Sequence, residues 1–154
     1  MAGLYHDFLL LKKEDRRSSN YYMGFIGDPR AIRLSDDLIE YIDDTLNWVP
    51  TFNPAKEESR HGLCLCGITE IHAEGASVLA SILDAWAQVF GYGPRVLSLT
   101  GEWATEEDML LNEGKYETLS FNRDETVAAL SKLADCARRV VATDGEHFIL
   151  HLGI

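Results

Sequence analysis

The stretch AEGASVLASILDAWAQVFGYGPRVLSLTG, residues 73–101, decides the fold. Between Ala73 and Phe90 its only polar side chains are Glu74, Ser77, Ser81, Asp84 and Gln88. Their 3-4-3-4 spacing draws a narrow polar stripe along an otherwise apolar cylinder, which predicts a long, central, buried helix. Gly91 supplies a stop, and Pro94 shortly after it keeps the chain from resuming the helix. Val96-Leu97-Ser98-Leu99-Thr100 then reads as a strand running into Gly101-Glu102-Trp103.

Beyond that strand, Ala104 to Gly114 is acidic and irregular, and Lys115 to Phe121 alternates as a second strand, with Tyr116, Thr118 and Ser120 on one face and Glu117, Leu119 and Phe121 on the other. Asn122 with Glu125 three residues later has the form of a capping box and opens the last long helix. Val127, Leu130, Ala134, Ala137 and Val141 mark the buried stripe of that helix. Asp144-Gly145 is a turn, and His147 to Ile154 a closing strand.

Toward the N-terminus, Tyr5 to Leu11 predicts a strand whose run Phe8-Leu9-Leu10-Leu11 suits burial on both faces. A polar loop, 12–20, leads to Tyr21–Ile26, read as a second strand closed by Gly27-Asp28-Pro29, so that the chain opens with a hairpin. Ser35 is placed to cap a helix reaching about Trp48, with Asp36 and Asp37 in its first turn against the positive end of the helix dipole. At about 100° per residue, Leu38, Ile39, Tyr41, Ile42, Leu46 and Val49 fall on one half of that helix, and Asp36, Asp37, Glu40, Asp43 and Asp44 on the opposite arc. Thr51 to His61 reads as an exposed loop, and Gly62 to Ile71 as a strand kinked at Gly67.

Strands joined by such short links, with helices between, point to an α+β architecture: a mostly antiparallel or mixed sheet of about five to six strands with three main helices packed on it. Residues 1–154 carry no repeat, low-complexity run or linker, so one globular domain is expected.

The chain has 154 residues, 46% of them apolar, and 14 Lys plus Arg against 25 Asp plus Glu, for a net charge of -11 and a pI near 4.8. That excess repels nucleic-acid phosphate and anionic lipid and attracts basic partners. No uncharged stretch is long enough to span a bilayer, and the N-terminus lacks signal-peptide character, so the expectation is a soluble cytoplasmic protein. Cys64, Cys66 and Cys136 are too few for a disulfide framework and are expected reduced and packed in the interior. With His61 and His72 as the nearest candidate ligands and no second closely spaced pair, no metal and no cofactor are expected.

No phosphate-cradling glycine spacing, nucleophile elbow or H-E-x-x-H pair is present. His147 and His151 share a face of the closing strand, a face that a terminal strand is expected to leave solvated. Glu102 beside Trp103 is the best general-acid candidate, since an aromatic wall desolvates a carboxyl and raises its pKa. These residues define one alternative, a small enzyme or ligand-binding domain with a pocket near Glu102 or His147 and His151.

The stronger signal is where the charge lies. Residues 1–33 sum to +2, 34–91 to -8, 92–117 to -4 and 118–154 to -1. The helix after Ser35 carries five carboxylates on one arc and no base to pair with them. Its acidic arc, Trp48 beyond it, and the acidic Glu106, Glu107 and Asp108 make a candidate docking surface for a basic protein, with aromatic anchors of the kind that carry interface energy. In being small, acidic, motif-free and single-domain, the chain is similar to the immunity proteins of bacterial toxin–immunity pairs. The resemblance implies a non-enzymatic inhibitor that neutralises a cationic toxin such as a nuclease.

Overall fold

The computed structural model describes residues 3–105, 110 and 113–154. In chain order it contains β1 (Tyr5–Lys12), α1 (Ser19–Tyr22), β2 (Ile32–Ser35), α2 (Asp36–Leu46), β3 (Pro50–Asn53), β4 (Glu58–His61), β5 (Ile68–Ile71), α3 (Ala73–Gly91), β6 (Val96–Ala104), β7 (Lys115–Asn122), α4 (Arg123–Ala142) and β8 (His147–Leu152). The fold is α+β. Six strands form an antiparallel sheet in the order β2-β1-β8-β5-β3-β4, and β6 and β7 pair as a separate two-stranded ribbon. Among the described residues, no helix is long and apolar enough to cross a membrane.

The sheet is covered on both faces at its centre, which explains the unbroken apolar runs of β1 and β8. Phe8, Ile149 and Ile71 face a layer made by α2, α3 and α4, where they meet Leu38, Ile42, Leu79, Leu83, Leu130 and Leu133. Leu9, Leu11, Phe148, Leu150 and Leu152 face the other way, under Tyr22, with Phe25 and Ala31 packed against them. Each fully buried side chain of this size contributes roughly 1.5–3 kcal/mol. The two layers therefore lock β1 and β8 from both sides.

The caps read from sequence are present. Ser35 Oγ accepts the Leu38 amide at 3.3 Å, and Asn122 Oδ1 accepts the Glu125 amide at 3.0 Å. Asp144 and Gly145 both take positive φ at the turn into β8. In α3 the five polar positions all face outward. The exposed arc is wider than its polar residues, however, and includes Val89, so α3 buries one side and is not enclosed at the centre.

Other expectations are corrected. Tyr21–Ile26 is no strand: it is the short helix α1 followed by a 3-10 turn over Met23–Phe25. A helical turn there lets Tyr22 reach down onto Phe148, which an extended chain lying over the sheet would not do. The partner of β1 is β2, with Tyr5 opposite Ser35 and Phe8 opposite Ile32. Thr51–His61 is the β3–β4 hairpin, its turn held by Asn53 Oδ1 accepting the amides of Ala55 and Lys56, with Glu57 at φ 52°. Of Gly62–Ile71 only Ile68–Ile71 is strand. Cys64 and Cys66 therefore sit in a loop, where Cys66 is exposed and Cys64 half-buried; Cys136 is half-buried in α4, and burial pushes its thiol pKa up. In α4 the buried arc is Leu130, Leu133, Ala134, Ala137 and Val140, which leaves Val141 44% exposed.

The most consequential correction concerns β8. It lies between β1 and β5 in the middle of the sheet, so the expected solvated face does not exist. His151 is fully buried, and His147 is half-buried with its Nδ1 3.1 Å from Thr143 Oγ1.

Candidate functional site

The helix α2 is anchored by a buried chain of polar groups. Asp36 Oδ1 lies 2.8 Å from His6 Nε2, and His6 Nδ1 lies 2.8 Å from His151 Nε2. His151 Nδ1 is 3.3 Å from Thr69 Oγ1, which accepts the Cys64 amide at 2.8 Å. With both imidazoles neutral, each ring carries one N–H, and the roles follow in turn from the Asp36 carboxylate, which only accepts. Accordingly His6 Nε2–H donates to Asp36, His151 Nε2–H donates to His6 Nδ1, and the Thr69 hydroxyl donates to His151 Nδ1. The neutral chain is fully satisfied. Burial first, and then the proximity of His6, pull the His151 pKa down to about 3.

Asp36 is thus turned inward to β1, with 17% of its side chain left exposed. Asp43 is half-buried, with Oδ1 enclosed and lacking a hydrogen-bond partner, and burial raises its pKa. Asp37, Glu40 and Asp44 stay exposed, as does Trp48 at 66%. Glu106, Glu107 and Asp108 lie outside the described residues.

What sequence alone did not bring together is the meeting of α2 with the β6–β7 ribbon. Asp37, Glu40 and Tyr41 from α2 and Thr100, Gly101, Glu102, Glu117 and Leu119 from the ribbon line a groove of about 290 Å³. The ribbon is bulged here: Thr100 faces Thr118 and Trp103 faces Tyr116, so three steps on β6 oppose two on β7. A bulge of this kind re-aims the side chains it contains, and Glu102 lies within it on the groove wall.

The opposite wall is stiff. Tyr41 packs edge-on against Trp86, with centroids 5.9 Å apart, and also meets Phe90. Trp86 Nε1–H donates to Thr45 Oγ1 at 2.9 Å, fastening α2 to α3. Among the described residues, four carboxylates and no Lys or Arg line the groove. Glu40 records the result: partial desolvation and then the charges of Asp36, Glu102, Asp37 and Asp43 raise its pKa. A cation entering the groove relieves that repulsion. At the outer part of the ribbon, Trp103 and Tyr116 form an edge-to-face pair at 5.0 Å.

A second polar cluster was not anticipated. Glu70 is fully buried on the sheet face away from α2–α4, and accepts from Arg16 Nε at 2.8 Å, Tyr22 OH at 3.0 Å and His72 Nε2 at 2.9 Å. Burial pushes its carboxyl up, but the bonds from His72 and Tyr22 and the charge and bond of Arg16 outweigh this and hold it below the usual range. Burial, reinforced by the Glu70 charge, pushes the Tyr22 hydroxyl up to about 12. The only available signal was an acid within the short apolar run Ile68-Thr69-Glu70-Ile71. Among the described residues, no group of three His, Cys, Asp or Glu side chains is arranged to hold a metal ion.

No protein-family model matches the chain, and no curated protein or solved structure matches it significantly.

Proposed function

We propose that the protein is a small acidic binding protein that takes a basic protein partner into the groove between α2 and the β6–β7 ribbon. The observation that supports the reading is the convergence of Asp37, Glu40, Glu102 and Glu117 on one groove with no base among the described residues that line it. Complementary charge speeds encounter, and Tyr41 in the wall, with Trp103 and Tyr116 farther along the ribbon, offers the flat apolar contact that slows dissociation. In this reading the protein is an inhibitor of the immunity type, held in the bacterial cytoplasm, whose partner is a cationic toxin such as a nuclease.

The test is an affinity measurement on a basic protein captured with the full chain. Asp37→Lys, Glu40→Lys and Glu102→Lys together should weaken binding at least about a hundredfold, taking roughly 1 kcal/mol or more per close charge pair. A control carrying Glu74→Lys, Asp124→Lys and Asp135→Lys, which makes the same charge change elsewhere, should weaken it far less. If both variants lose affinity equally, the groove has no special role.

The alternative of a small enzyme or ligand-binding pocket retains one supporting observation, the position of Glu102 beside the raised Glu40. It has lost the paired histidines, since His151 is enclosed in the core.

A further inference from the structure

On the sheet face away from α2–α4, the loop that follows β1 and the β3–β4 hairpin border a second cavity, of about 530 Å³. The loop contributes Arg16, Ser18 and Ser19, the hairpin contributes Phe52, Pro54 and Glu57, and the fully buried Glu70 of β5 reaches the cavity from the core. The groove beside α2 shares none of these residues.

The loop is held from the core side. Tyr22 OH accepts the Arg17 amide at 3.0 Å and donates to Glu70 Oε2 at 3.0 Å. Glu70 Oε1 is shared by Arg16 Nε and His72 Nε2. Arg16 is thereby fixed in two ways: its Nε–H is tied to a carboxylate with no exposure, and its guanidinium lies over the Phe52 ring, 5.0 Å from the centroid. Glu70 does not take the rest of the fork, because its second oxygen receives Tyr22. Among the described residues, neither Nη of Arg16 has a hydrogen-bond partner, and the side chain is 45% exposed. Arg17 differs, since its Nη1 donates to the carbonyls of Glu14 and Arg16. Ser18 stands before α1 without capping it, which leaves its hydroxyl free of the helix. A guanidinium pinned through Nε and one ring face keeps two parallel donors in a fixed plane, the arrangement that takes both oxygens of one anion. Because the orientation is set in advance, a ligand loses little freedom of the protein on binding.

The remaining lining groups decide which anion. Glu57 and Glu70 put two acids in the same cavity, on a chain whose net charge is -11. Their repulsion grows in proportion to the charge of the ligand. It therefore weighs more on a phosphate monoester, at about -1.5 to -2 near neutral pH, than on a singly charged carboxylate. Phe52 and Pro54 offer the rest of such a molecule an apolar wall, and an apolar pocket with a few convergent polar groups is the usual form of a small-molecule site.

We propose that this cavity binds a small organic carboxylate with an apolar body, its two oxygens on the Arg16 fork beside the Ser18 hydroxyl and its body against Phe52 and Pro54. The site is separate from the groove assigned to a basic protein and is tested without it.

The experiment follows the amide chemical shifts of the full chain by NMR, at constant ionic strength. Phenylacetate is added to about 20 mM, which spans the millimolar affinity open to so small a ligand. Saturable shifts are expected at Arg16, Ser18, Ser19 and Phe52. Phenylacetamide, which has nearly the same shape without the charge, should bind about tenfold more weakly or worse, because charge-assisted bonds are roughly twice as strong as neutral ones. Inorganic phosphate should also bind more weakly than phenylacetate. Arg16→Lys keeps a cation beside Glu70 but removes the planar fork, and should weaken phenylacetate about tenfold with the circular dichroism spectrum unchanged. If that variant loses its native spectrum, the comparison of acid with amide on the unaltered chain decides. Absence of saturable shifts at this cavity overturns the proposal, and so does equal binding of phenylacetamide. Phosphate binding as tightly as phenylacetate overturns the choice of a carboxylate, and an affinity indifferent to a folded Arg16→Lys overturns the role of the fork.

Discussion

Replacing His151 by Gln tests the buried imidazole chain through its dependence on pH. The His151 pKa is about 3 in the folded protein, against an ordinary 6.5. The unfolded chain therefore binds a proton that the folded one refuses, and unfolding gains free energy as the pH falls. The contribution is complete above 6.5, and it is lost progressively as the pH drops from 6.5 toward 3. Between pH 7 and pH 5 these two values remove about 2 kcal/mol of stability, which moves a urea midpoint by about 1 M for a chain of this size. The glutamine side chain offers an N–H to His6 Nδ1 and an oxygen to the Thr69 hydroxyl but has no proton to take up. His151→Gln should thus be less stable than the parent at pH 7 by about 1–3 kcal/mol from imperfect bonding. The gap should narrow by about 2 kcal/mol at pH 5. Urea unfolding at pH 5, 6 and 7 reads this directly. Equal gaps at pH 7 and pH 5 would refute the claim that a neutral, enclosed His151 belongs to the folded state.

Two further outcomes follow from close packing on either side of β5. At Gly75 an added Cβ would collide with the Pro50 carbonyl oxygen, so Gly75→Ala must prise the start of α3 from β3. A drop of about 1–3 kcal/mol is expected, in place of the gain of about 1 kcal/mol that helix propensity alone assigns to alanine; a thermal melt showing a gain would contradict the close approach. Tyr22→Phe removes one of three donors to Glu70, should cost about 1–3 kcal/mol at neutral pH, and should raise the Glu70 pKa. The depressed folded pKa gives stability that is present above the ordinary value of 4.5 and lost as the pH falls below it, so the variant, with a smaller difference between folded and unfolded carboxyl, should lose less stability than the parent below pH 4.5. An equal loss in both would mean that Tyr22 does not support the ionised carboxylate.

The groove illustrates how far local pattern reaches. The acidic arc of α2, its Ser35 cap and the alternation of β7 were all readable, because each is set by neighbours within four residues. That Glu102 and Glu117 meet Glu40 was not, because it depends on the angle at which a bulged ribbon leaves the body. The same arc looked uniform in sequence, yet Asp36 turned inward because His6, thirty positions away, offers it an N–H in the core.

The errors have the same origin. Tyr21–Ile26 has the composition of a strand, but the exposed Met23 and Ile26 and the buried Tyr22 follow a helical turn that covers Phe148. Thr51–His61 looked like a loop because its buried members, Thr51 and Asn53, are polar. β8 looked like a peripheral strand because it ends the chain.

By itself, then, the sequence determined the α+β class, the three long helices, the ribbon strands and the place where charge accumulates. Hydrophobic periodicity and capping act within a turn or two of chain and need no knowledge of the rest. Only the tertiary structure decided that the last strand is central, that His6 and His151 meet across a separation of 145 residues, that Glu70 is enclosed by three donors, and that four carboxylates share one groove. Those outcomes come from which strands become neighbours, and that choice is made by the burial of both sheet faces at once, a requirement that no single segment carries.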